Sequence, residues 1–104
     1  MNKLYIDDIR NPDTAGFDIV RSYDDAVFYM RLRGCPHFIS FDHDLGDADA
    51  PTGYDIAKWM VERDMNDSGG FIPADFDFAV HSANPVGAEN IKGLLDNYLE
   101  VRKR

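Results

Sequence analysis

FISFDHDLG, residues 38–46, is the stretch that decides how this chain folds. Phe38 to Phe41 form a short apolar run that passes without a spacer into Asp42, His43 and Asp44, and Gly46 then opens a turn. A continuous apolar run bounded by turn residues is the pattern of a strand in the interior of a sheet. Its carboxyl end therefore carries a cluster of acid and imidazole groups. The same order recurs on either side. Leu4, Tyr5 and Ile6 run into Asp7 and Asp8, and Phe76, Phe78 and Val80, alternating with Asp77 and Ala79, run into His81, Ser82 and Asn84. A fourth strand spans Phe17 to Arg21, behind a loop marked by Pro12 and Gly16.

Helices fill the intervals. Ser22 can cap a helix whose Ala26, Val27 and Met30 recur at helical spacing until Gly34 stops it. Thr52 with Asp55 forms a capping pair for a second helix, striped by Ile56, Ala57, Met60 and Val61. Asn84 and Pro85 serve as cap and first position of a third, with Ile91, Leu94, Leu95 and Tyr98 on its buried face. Strands separated by helices favour a parallel sheet with right-handed crossovers. The first and third strands read as central, and the second and fourth, with charged or alternating residues, read as edges. The strand order that follows is 2-1-3-4. This is the flavodoxin-type order without its last strand, whose ligand crevice lies beyond the carboxyl ends of the central strands.

The 104 residues suffice for one domain, 1–104, with no repeat or linker. A formal charge of -8 sets the surface against duplex nucleic acid but not against a small phosphorylated ligand or nucleotide. The single Cys35 can form no internal disulfide, and no apolar stretch reads as a signal peptide or a membrane span, so a reducing cytoplasm is the expected home. The sequence sets no oligomeric state.

Three segments thus converge on one crevice with Asp7, Asp8, Asp42, Asp44, His43 and His81. Clustered carboxylates repel unless a cation or a shared proton relieves them, and a hard divalent ion, Mg²⁺ or Mn²⁺, suits oxygen ligands. Asp7, Asp8, Asp42 and Asp44 are the candidate ligands; each taken singly is equally an ordinary turn cap. His43 and His81 can carry protons near neutral pH, with Asp42 beside them, whereas His37 precedes its strand and belongs at the opposite end. Ser82, Asn84 and Gly87 start a helix whose dipole favours an anion. Arg10 can fork a phosphate or pair with the neighbouring aspartates, and both readings stand open.

These residues carry a resemblance. The motifs DDIRNP (Asp7 to Pro12), FDHDLG (Phe41 to Gly46), TGYDIA (Thr52 to Ala57) and HSANPVGAEN (His81 to Asn90) resemble those of the cyclic-phosphate processing receiver-like domain family, a divergent relative of response-regulator receivers. The resemblance covers nearly the whole chain. It implies a truncated receiver-like, three-layer sandwich and the processing of a cyclic phosphate such as a nucleotide or RNA-end 2′,3′-cyclic phosphate. It extends the phosphate-binding set from Arg10, Ser82, Asn84 and Gly87 to Asn90. There is no room for a helix after the first strand, and the fifth strand with its lysine is missing, which speaks against a phosphorylation relay. The leading expectation is a phosphoesterase using His81, His43 and Asp42. Its alternatives are a non-catalytic binding module for a phosphorylated nucleotide and a degenerate receiver.

Overall fold

The computed structural model describes residues 2–103. In chain order it contains β1 (Lys3–Ile6), β2 (Phe17–Val20), α1 (Tyr23–Arg33), β3 (Phe38–Phe41), α2 (Gly53–Asn66), β4 (Asp77–Val80) and α3 (Pro85–Arg102). The four strands form one parallel sheet in the order β2-β1-β3-β4, the receiver-like arrangement read from the sequence. Helix starts are fixed where the capping residues stand. Ser22 accepts from the Asp25 amide, Thr52 and Asp55 close a reciprocal capping box, and Asn84 accepts from the Gly87 amide ahead of α3. Each satisfies amides that the first helical turn leaves without partners.

Alternation along the strands separates two faces of the sheet. Leu4, Ile6, Val20, Ile39 and Phe41 are buried and join one core with Ala26 and Met30 of α1, Ile56, Ala57 and Met60 of α2, and Ile91 and Leu95 of α3. All three helices therefore pack on the same face. The opposite face carries Lys3, Tyr5, Phe17 and Phe38, half-buried, with Ile19 and Ala79 exposed. Topology, parallel pairing and helix count match the expected sandwich, but its outer layer is not supplied by any helix among the described residues. The reason is local: a loop, not a helix, joins β1 to β2. A continuous apolar run such as β1 goes with cover on both faces; on the side away from the helices Tyr5 is partly covered by aromatic neighbours, edge-on to Phe17 at 5.7 Å and flat on His81 at 4.4 Å.

Candidate active site

Register builds the site. Ile6 stands opposite Phe41, and Phe41 opposite Val80, so the next residues, Asp7, Asp42 and His81, come abreast on three neighbouring strands. The ladder still holds at that level, with the Asp42 amide donating to Ile6 O at 2.9 Å and the His81 amide to Phe41 O at 2.9 Å. Parallel strands lie about 4.8 Å apart, so side chains at one level on one face are close neighbours. One ligand atom from each of Asp7, Asp42 and His81 accordingly falls within 4.8 Å of the others.

Asp7, 1% exposed, is the hub. Its Oδ1 accepts from the Ile9 amide at 2.9 Å and the Arg10 amide at 2.8 Å, and its Oδ2 accepts from Arg10 Nε at 3.0 Å and His81 Nε2 at 3.0 Å. Burial by itself would raise the carboxyl pKa; the two amides, His81 and the Arg10 charge outweigh it and hold Asp7 below the usual range. Asp42 accepts from the His43 amide through Oδ1, while its Oδ2 accepts no hydrogen bond among the described residues and lies 3.6 Å from Arg10 Nη2. Two carboxylates at this spacing repel by roughly 3 kcal/mol at an effective dielectric near 20. Arg10 relieves that repulsion by reaching both.

His81 is engaged on every side. Its Nδ1 lies 2.7 Å from Ser40 Oγ and its Nε2 bonds Asp7, while Tyr5 stacks on the ring at 4.4 Å and 5°. Both bonds are satisfied when Ser40 donates to Nδ1 and Nε2–H donates to the carboxylate. Ser40 and Tyr5 stand one step back from Asp42 and Asp7 on the same face, which is why they meet this ring. In the sequence Ser40 and Tyr5 stand only as members of apolar runs. The signal was their period-two offset from the acids.

His43 belongs to a second group on the helix side. Its Nδ1 bonds Asp44 Oδ1 at 2.8 Å and approaches Asn84 Nδ2 at 3.5 Å, and that bond is the main reason the Asp44 pKa is lowered. A Cβ on Gly87 would stand 2.3 Å from the His43 ring, and one on Gly53 1.9 Å from Asp42 O. Both glycines therefore allow close approach of the helix starts to the end of β3. The Gly87 amide is already taken by Asn84 Oδ1. His43 is thus wedged between two helix starts. Asp8, Arg10, Asp44 and Ser82 line an open cleft of about 350 Å³ together with Asp7 and Asp42. Asn84 lies behind Asp44, and Asn90 is exposed on α3 away from the cleft lining. Arg21, expected from the sequence only as the end of a strand, lies just past β2 and braces the loop by donating to Asp7 O, Arg10 O and Asn11 Oδ1.

The sheet order and the acid cluster at its carboxyl edge define a receiver-like α/β domain with a polar cleft where ligands of such sheets bind. The family model of the cyclic-phosphate processing receiver domain matches residues 2–97. The chain belongs to that family. No curated protein and no solved structure gives a significant match.

The donor set of Asp7, Asp42 and His81 fits a divalent ion: two carboxylates and one imidazole, close enough to share it after small rotations. No helix among the described residues is long and apolar enough to cross a membrane.

Proposed function

We propose that this domain hydrolyses a cyclic phosphodiester of the nucleotide or RNA-end 2′,3′ type in the cleft beside Asp7, Asp42 and His81. The observation that carries the reading is the in-register trio beside an open cleft that Asp7 and Asp42 line, with the half-exposed Arg10 fork above it. Arg10 meets the phosphate oxygens, and Ser82 assists, since its Oγ accepts from the Asn84 amide and keeps its own proton to donate. Water attacks phosphorus as one of the two ring P–O bonds breaks. Its proton passes to Asp42 Oδ2, the carboxylate oxygen without a hydrogen bond, and the departing sugar oxygen takes the Nε2 proton of the doubly protonated His81, which is left a neutral imidazole with Nδ1–H donating to Ser40 Oγ. Asp7 orients that imidazole and Ser40 holds its far nitrogen. His43 acts through position, tying Asp44 and Asn84 together against Gly87.

A divalent ion, Mg²⁺ or Mn²⁺, would be held by Asp7 and Asp42 with Asp8 or Asp44 at the rim, leaving His81 Nε2 to carry its proton, and when bound would neutralise charge on the phosphate. A small phosphorylated partner and a cytoplasmic setting are part of this proposal.

The test follows ³¹P resonances while the protein meets a panel of cyclic nucleotides with Mg²⁺ or Mn²⁺. Turnover is expected, and His81→Ala should lower it at least about 10²-fold while affinity stays within a few-fold, because proton transfer acts on the transition state. Survival of turnover in His81→Ala makes the residue structural. One observation favours a second reading: both His81 nitrogens are already bonded, as suits a pocket that binds a phosphorylated nucleotide without turning it over. Binding without turnover by the wild type would select it.

A further inference from the structure

Arg10 holds the place in this site that a metal ion would need. Its Nε sits 3.0 Å from Asp7 Oδ2 and its Nη2 3.6 Å from Asp42 Oδ2. Among the described residues it is the only lysine or arginine ion-paired with either carboxylate. The two carboxylates are thus neutralised from within the chain. An incoming divalent ion gains the same two negative charges only by giving up what Arg10 already supplies.

The residue is built to leave. Its main chain is clamped, because its amide donates to Asp7 Oδ1 at 2.8 Å and its carbonyl accepts from Arg21 Nη1 at 2.7 Å. Its side chain is 51% exposed, so the guanidinium can exchange its carboxylate partners for water or an anion without moving the loop. The aspartates cannot follow. Asp7 is pinned by two amides, and Asp42 stands at the end of β3 and is tied to the His43 amide.

We infer that Arg10 and a divalent cation are mutually exclusive occupants of the Asp7–Asp42 pair. On this view the ion enters by displacing the guanidinium, and the released fork turns into the cleft, where it can meet phosphate. This rests on the reading of the cleft as a phosphate site only in its last clause; the exchange itself is a property of the ligand-free protein. It makes Arg10 a competitor that weakens metal binding until a phosphate draws it away. Metal and phosphate would then bind with positive cooperativity, each raising the other's affinity by the same factor.

Calorimetric titration with MnCl₂ alone tests the exchange. Arg10→Gln should bind Mn²⁺ at least about 10-fold more tightly than the wild type, since it removes a competing charge from the two carboxylates and no ligand. Asp42→Asn in the Arg10→Gln background should abolish that binding. Equal or weaker binding by Arg10→Gln, or binding that survives Asp42→Asn, overturns the inference. A second measurement needs no variant. In the wild type the Arg10 Nε–H resonance should be protected in metal-free buffer and lose that protection as Mg²⁺ saturates the site; Mg²⁺ binding with the resonance unchanged also overturns it. If Arg10→Gln tightens Mn²⁺ binding while no cyclic phosphate is turned over, the exchange stands and the hydrolase reading falls. If turnover occurs but Arg10→Gln leaves Mn²⁺ affinity unchanged, the reverse holds.

Discussion

Asp7 and Asp64 are both buried carboxylates, 1% and 0% exposed, and the chain satisfies them in nearly the same way. Each Oδ1 accepts two successive backbone amides, from Ile9 and Arg10 in one case and from Phe71 and Ile72 in the other. Each Oδ2 accepts from one arginine and one ring, Arg10 with His81 or Arg102 with Tyr98. Counting hydrogen bonds cannot tell a site from a staple here. The difference lies in the partners. Arg102, 20% exposed, spends its remaining donors on the carbonyls of Ile72 and Pro73, so the loop before β4 is locked to the end of α3. Arg10 is 51% exposed and spends its remaining reach on a second carboxylate, and the ring on Asp7 is an imidazole with two nitrogens able to exchange protons rather than a phenol pushed up to about 12 by burial and Asp64. One cluster is closed; the other leaves charge facing a cleft.

The sharpest way to break this contrast is to remove each carboxylate. Asp64→Ala should cost about 3–5 kcal/mol, because it strands a mostly buried guanidinium and two amides. Urea unfolding would show it as a lower midpoint. Asp7→Asn should cost less, about 1–3 kcal/mol, since the amide oxygen can keep the two backbone donors and the exposed head of Arg10 can return to water. Asp7→Asn proving the more damaging of the two would mean that the active cleft is the true structural staple.

Acid titration gives the next test. Both carboxyls are held below their ordinary range in the folded protein, so their contribution to stability is complete above the unfolded value of about 3.9. It is lost as pH falls through the lower folded values. Wild-type stability should therefore drop below about pH 4, and Asp64→Asn, lower at neutral pH, should show a flatter acid limb. Parallel acid limbs in the two proteins would remove Asp64 from the linkage.

The sheet was legible because each strand carries its own boundary: apolar runs end at Asp7, Asp42 and His81, and capping residues open each helix. That these three stand abreast follows from parallel register, which the strand order implies. What did not show were contacts across long separations. Asp64 looked like one more polar position on α2, yet it meets Phe71, Tyr98 and Arg102, which only the packing of α3 on α2 brings to it. Ser40 looked like a small residue in an apolar run, and its bond to His81 spans two strands. His43 and His81 both follow strand ends in the sequence but go to different groups, because His81 stands level with Asp42 and His43 one position further, and neighbouring positions at the end of a strand face opposite ways.

The placement of β1 also sets how the chain must assemble. It precedes both of its partners in the chain and is one of the two innermost strands, and its partners begin at Phe17 and Phe38. A parallel sheet offers no hairpin, so nothing local can hold Leu4 and Ile6 out of water while the rest of the chain is still being made. Folding must wait for β3 and the helices that carry the core, so refolding should be slower than that of a helical bundle of this size, because long loops close before contacts reward them. Shortening the chain at its beginning would unpair both neighbours of β1 at once, whereas losing an edge strand unpairs only one.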